Sequence, residues 1–201
     1  MADLYILRHG NTFEKGQEPT RVGGRTDIPL TQAGEDQIKR VAEHFAKDGV
    51  TFAGVLSGPL KRTMRSAEIT IETLQIGNAL EIRETLREID YGPDENQSES
   101  FVRGRIGEAA LQRWDAEAIP PPGWIVDPAA LRSVWRALFA EYASVDGAIL
   151  CVTSNGVARF ALDVTEGGEK HERKLRTAAY GIIELYERSA KVKAWNISVD
   201  R

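Results

Sequence analysis

The sequence is poor in cysteine and in histidine. A single thiol, Cys151, in 201 residues excludes an internal disulfide framework and a cysteine-rich zinc module. The three histidines, His9, His44 and His171, leave few places for imidazole chemistry. Long apolar runs are missing too: none approaches the roughly 18 residues of a membrane span. Asp3 and Arg8 interrupt the first apolar stretch too early for a signal-peptide core. Basic charge is not in excess either, with 26 Lys and Arg against 30 Asp and Glu and a formal charge of -4. A chain that tracks a nucleic-acid backbone or an anionic membrane needs a large basic surface, so neither partner is expected. One thiol and no export signal point to a reduced, cytoplasmic protein. The length favours a single domain over 1–201.

What is present alternates between strand-like and helix-like segments. The apolar run at 4–7 ends at Arg8-His9-Gly10, a strand followed by a turn. Residues 32–47 place Ile38, Val41, Ala42 and Phe45 on one helical face, with Thr31 as N-cap and Asp48-Gly49 as stop. Residues 52–56 read as a second strand, after which Ser57-Gly58-Pro59 opens a helix with proline in its first turn. Leu60, Met64, Ala67, Ile71 and Leu74 form the buried stripe of that helix. A third strand is expected at 80–83. Asp127-Pro128 caps a helix carrying Leu131, Val134, Trp135, Leu138, Phe139 and Tyr142. The run at 148–153 is the most apolar strand and hence central, and 181–187 with 191–197 form a terminal pair joined near Ser189. The pattern predicts an α/β fold, a three-layer α/β/α sandwich with a mostly parallel central sheet. Residues at about 93–125 read as an insertion with a helix around 99–117.

Ligands of such sheets bind beyond the carboxyl ends of the strands, which singles out Arg8-His9-Gly10, residues 57–62 and Ser154-Asn155-Gly156. A neutral imidazole attacks phosphorus, and guanidinium groups hold phosphoryl oxygens. Arg-His-Gly alone is a short motif, equally at home as a buried histidine at a strand end.

The segment Leu7-Arg8-His9-Gly10-Asn11-Thr12 resembles the signature of the histidine phosphatase superfamily, which includes cofactor-dependent phosphoglycerate mutase. Arg21 and Gly24-Arg25-Thr26-Asp27-Ile28-Pro29-Leu30-Thr31, with Gly34, are similar to its second block. Ser57-Gly58-Pro59-Leu60-Lys61-Arg62-Thr63, with Ala67, is similar to its third, and Leu86-Arg87-Glu88-Ile89-Asp90-Tyr91-Gly92 to its acid-bearing block. The matches run in order through 4–92 and resume at 148–162. The resemblance implies a phosphoglycerate mutase-like fold that needs no metal or cofactor. His9 would be the phosphorylated nucleophile. Arg8 and Arg62 would clamp the phosphate, Arg62 beside a helix start whose free amides also favour anions. Glu88 would protonate the leaving oxygen; position alone leaves Glu84, Asp90, Asp94 and Glu95 as competitors. Arg21, Asn11 and Gly156 would contact substrate.

Two departures stand out. Asn155 occupies the place of the family's second histidine; its amide donates a hydrogen bond but brings no charge and moves no proton. Losing one preorganised donor costs about 10²–10³ in rate. Lys15 falls where the family often has an asparagine at the phosphate, a position from which a lysine would add positive charge and partly offset what Asn155 lacks. Its alternative is a solvated loop lysine, since Glu14 and Glu18 flank it. His44 and His171 read as structural or surface groups, with His171 the one histidine that could swing toward the site. Cys151 reads as a small core residue, and Trp114, Trp124 and Trp135 as packing residues. The expectation is a phosphatase hydrolysing a small phosphomonoester through a phosphohistidine on His9, with that ester or inorganic phosphate as its partner. The alternative is a weakened or inactive fold that binds a phosphate ligand. A phosphoglycerate mutase comes third, because Gly23 replaces a hydroxyl residue expected near the mutase's substrate carboxylate. Natural substrate and oligomeric state are not legible.

Overall fold

Period-two alternation in two adjacent strands sets the architecture of the computed structural model, which describes residues 2–77 and 80–199. In β1 (Ala2–Arg8) and β4 (Gly147–Thr153), Leu4, Ile6, Ile149 and Cys151 enter one apolar core, whereas Leu7, Leu150 and Val152 enter a second. Successive side chains of a strand point to opposite faces, so these two strands need cover on both. With β2 (Phe52–Ser57), β3 (Leu80–Ile82), β5 (Tyr180–Leu185) and β6 (Ala190–Ile197), they form a six-stranded sheet in the order β3-β2-β4-β1-β5-β6. The β3/β2, β2/β4 and β4/β1 pairings are parallel, and β1/β5 and β5/β6 antiparallel. The fifth strand stops at Leu185, two residues short of the expected end, because the Tyr186 amide turns back to the Ser189 carbonyl at 2.9 Å.

The helices α1 (Gln32–Lys47) and α2 (Lys61–Leu74) cover one face. Thr31 caps α1, its hydroxyl accepting from the Gly34 amide at 3.0 Å. The other face is covered by α5 (Pro128–Tyr142), whose Asp127 cap accepts from the Ala129 and Ala130 amides at 2.9 and 3.0 Å. Trp135, Leu138 and Phe139 of α5 share this core with Trp114 and Trp124.

Three local expectations are corrected. The helix expected around 99–117 is two helices, α3 (Glu99–Ile106) and α4 (Glu108–Glu117), because Gly107 adopts φ +80° between them. The helix α2 starts at Lys61 with Leu60 as N-cap, so Pro59 precedes it instead of occupying its first turn. Its deepest face is largely polar: Arg62, Thr63, Ser66 and Thr70 are buried with Ala67 and Ile69, while Met64, Ile71 and Leu74 are half-buried. Those hydroxyls are satisfied by nearby carbonyls, Ser66 donating to Arg62 and Thr70 to Ser66 at 2.7 and 2.9 Å.

The carboxyl ends of β1, β2 and β4 lie side by side, bringing 8–10, 57–62 and 153–156 together. Close backbone approach fixes the first of these. A Cβ on Gly10 would sit 2.3 Å from the Gly34 carbonyl oxygen, so α1 packs directly on the turn after β1.

Candidate active site

His9 is buried where β1 ends, its amide bonded to the Thr153 carbonyl at 3.2 Å. Its Nδ1 lies 2.8 Å from the Gly10 carbonyl oxygen. A carbonyl only accepts, so in the neutral ring Nδ1 carries the proton and Nε2 keeps its lone pair. Burial, reinforced by Arg62 and Arg8, holds the imidazole pKa well below the usual 6.5. The ring is therefore neutral at pH 7, the form that attacks phosphorus.

Arg62 is fully buried on α2; Nη1 donates to the Thr26 carbonyl at 2.7 Å and Nη2 to that of Gly23 at 3.1 Å. Arg8 donates from Nη1 to the Leu175 carbonyl at 2.9 Å. Buried Nε atoms of Arg8, Arg21 and Arg62 have no hydrogen-bond partner among the described residues. Unpartnered buried cationic donors cost free energy, and an anion bound beside them recovers it; Arg8 and Arg21 line a shared cleft, whereas Arg62 lies outside its lining. The first turn of α2 adds little to this. Asp27 takes the Lys61 amide at 2.8 Å and the Leu60 carbonyl that of Thr63 at 2.9 Å, so those amides are not free for phosphate.

Glu88 is the buried carboxyl of the set. It follows a single 3-10 turn at Glu84–Leu86, pinned to β4 by the Thr153 hydroxyl, which donates to the Leu86 carbonyl at 2.9 Å. Its oxygens accept from the Ile89 amide at 2.9 Å and the Gly156 amide at 3.2 Å. Burial raises its pKa, outweighing the opposing pull of Arg62, these amides and Arg8. Of the competing carboxylates, Glu84 pairs with Arg87 at 2.9 Å, Asp90 with Arg25 at 3.0 Å, and Asp94 with Arg105. Glu95 accepts from the Arg25 amide at 2.9 Å and the Thr26 hydroxyl at 2.8 Å. All four are committed elsewhere.

Arg8, His9, Asn11, Arg21, Glu88 and Asn155 line one cleft of about 580 Å³. Its outer wall comes from α3 and α4 through Glu99, Arg103, Glu108, Gln112 and Asp115. Asn11 lies at the cleft, but its Nδ2 is used within the loop, donating to the Phe13 carbonyl at 2.7 Å. Asn155 opens the four-residue α6 (Asn155–Ala158) and accepts on Oδ1 from the Leu175 amide at 2.8 Å. That bond fixes the flip of the amide and leaves Nδ2 as the available donor.

Two expectations, for Lys15 and Gly156, are corrected, and the two remaining histidines lie away from the cleft. Lys15 is exposed and does not line the cleft, because the Asn11–Phe13 bond and the turn from Glu14 to Gln17 carry the chain outward. Gly156 does not face the cleft: its amide holds Glu88, and a Cβ there would lie 2.3 Å from the Glu88 Oε1. His171 lines a separate hollow with Asp163 and Arg173, and His44 approaches the Tyr180 hydroxyl at 3.2 Å. Sequence reading passed over Arg159, Lys174 and Thr177, all at the cleft. Arg159 is buried, stacked 4.1 Å from the Trp114 ring centre, and donates to the Trp114 carbonyl at 2.7 Å. Its position four residues after Asn155, one helical turn, was the available signal.

The family model of the histidine phosphatase superfamily (branch 1) matches residues 4–198. The chain belongs to the histidine phosphatase superfamily. Within that superfamily it is similar to a 2,3-bisphosphoglycerate-dependent phosphoglycerate mutase of Rhizobium etli, 33% identical over 126 residues that cover 61% of this chain and 59% of that protein. It is also similar to a probable phosphoglycerate mutase GpmB of Salmonella arizonae, 26% identical over 206 residues, covering 97% and 90%. Among solved structures, a mycobacterial glucosyl-3-phosphoglycerate phosphatase in complex with VO3 superposes with a TM-score of 0.79 at 19% identity, covering 98% and 99%. At that identity the likeness establishes the fold.

The packing around Gly156 in this superfamily member yields one expected result. Gly156→Ala forces the Glu88 carboxyl aside, and a misplacement near 1 Å costs about 10² in rate. Turnover of an alkyl phosphate should fall by that order while the far-ultraviolet circular dichroism stays native. Unchanged turnover would mean that the Glu88 position does not matter to the reaction.

Proposed function

We propose that this chain is a phosphatase that hydrolyses a small phosphomonoester through a phosphohistidine on His9. The carrying observation is the pair of opposite shifts at one cleft: an imidazole kept neutral and a carboxyl kept protonatable. His9 Nε2 attacks phosphorus, the ester P–O bond breaks, and Glu88 gives its proton to the departing oxygen. Water then attacks phospho-His9, losing a proton to Glu88; the P–N bond breaks, and inorganic phosphate leaves. Arg8 and Arg62 hold the phosphoryl oxygens, and the Asn155 amide adds a neutral donor. The outer wall carries paired charges, Arg21 with Glu99 at 2.8 Å and Arg103 with Glu108, which favours a small polar leaving group. Hydrolysis is favoured over the mutase reaction suggested by the curated relatives. The chain carries glycine where the mutase has a hydroxyl residue, and a side chain at Gly23 would have to displace the Glu95 carboxylate, 2.1 Å from its Cβ.

The test is turnover of an aryl phosphate together with a search for acid-labile phosphoprotein after rapid quenching. Absence of both overturns the reading. Asn155 favours a second reading, a phosphate-binding module. An active native protein that gains up to about 10²-fold in Asn155→His supports the enzyme. An inert parent made active by the same change supports the module.

A further inference from the structure

Of the cations lining the cleft beyond Arg8, all but one have a carboxylate beside them among the described residues. Arg21 pairs with Glu99 at 2.8 Å, Arg159 lies 3.7 Å from Asp115, and Arg103 pairs with Glu108. Lys174 lines the same cleft, is exposed, and has no ion-pair partner among the described residues.

Its place in the chain gives that charge a use. The next residue, Leu175, is bonded through its peptide groups to two site residues at once: its carbonyl accepts from Arg8 at 2.9 Å, and its amide donates to Asn155 at 2.8 Å. Consecutive Cα atoms are about 3.8 Å apart, so the Lys174 backbone is held one residue from this junction. Its side chain lines the cleft, and its ammonium is a compact charge with three donors on a flexible stem. The deeper cations are less free: Arg8 and Arg62 already spend N–H groups on carbonyls. A transferring phosphoryl group spreads charge over three oxygens, and Asn155 meets it without charge.

We infer that Lys174 supplies the positive charge at the phosphoryl group that Asn155 does not carry, as a phosphate-clamping residue of this chain. The assignment rests on the phosphoryl-transfer reading of the cleft, and it moves to Lys174 the compensating role that the sequence suggested for Lys15.

Lys174→Met keeps the stem and removes the charge, and the exposed position spares the fold. The expected result is a loss of about 10-fold to 100-fold in kcat/KM for an aryl phosphate, a similar weakening of orthovanadate inhibition, and retention of most of both in Lys174→Arg. In an Asn155→His background the same replacement should cost less than about 3-fold, because the histidine brings its own charge. Equal losses in both backgrounds overturn the inference. So does unchanged vanadate inhibition with KM raised only for leaving groups bearing a second anion, which would make Lys174 a leaving-group contact. Calorimetric binding of orthovanadate to the native chain and to Lys174→Met decides the point even in a protein that turns nothing over. Failure of the phosphatase reading and failure of this assignment are thus separate results.

Discussion

His9→Ala should lower phosphomonoester turnover by at least about 10⁴-fold and abolish acid-labile phosphate on the protein. The size follows from the covalent role proposed for His9. Without Nε2 no P–N bond forms, and what remains is binding by Arg8, Arg62 and Asn155. The other two histidines give no relief: His44 lies against Tyr180, and His171 lines another hollow. Orthovanadate binding should survive in part, because the arginines persist. Phosphoprotein that forms undiminished in His9→Ala would place the nucleophile elsewhere and overturn the mechanism.

Glu88→Gln should cost about 10²–10⁴ in kcat on an alkyl phosphate. The loss should shrink on an aryl phosphate with a good leaving group, which departs with little help from a proton. The pH profile carries the sharper signature. The reaction needs His9 unprotonated, so activity falls on the acid side as the pH drops through the His9 pKa, which lies below 6.5. It also needs Glu88 protonated, so activity falls on the alkaline side as the pH rises through a carboxyl pKa lifted above its ordinary 4.5. In Glu88→Gln the alkaline limb should vanish and the acid limb remain. An alkaline limb that persists unchanged would assign that limb to another group.

Much of this was legible before the fold was known, for identifiable reasons. The β1 and β4 strands announce themselves because their apolar runs are short, strong and bounded by turn residues, and the sheet puts Arg8-His9 and Ser154-Asn155 at their ends. Thr31 and Asp127 cap helices through side-chain bonds that depend on nearest neighbours alone. Lys15 and Gly156 fall outside the cleft because proximity in sequence does not set direction. The Asn11 turn sends Lys15 outward, and the Gly156 amide points to Glu88. The polar underside of α2 was hidden because periodicity weighs apolar residues and passes over hydroxyls that bond within their own helix. Lys174 could not be found at all: Glu169-Lys170-His171-Glu172-Arg173-Lys174 looks like a solvated charge run. Only the long-range bonds of Leu175, 167 residues from Arg8 in sequence, reveal where it lies.

That junction has a genetic consequence. Arg8 and Asn155 are joined by main-chain atoms, which nearly every residue type shares. Substitutions at 175 register in the core, where the leucine side chain is fully buried, and leave both bonds available. Proline is the exception, since it lacks the amide that Asn155 accepts. At 174 the side chain is exposed, and the residue type can drift without loosening the junction. The charge at the mouth and the frame that presents it are thus coded by adjacent codons yet mutate independently, so such a cleft can change its ionic character one substitution at a time while its geometry stays put.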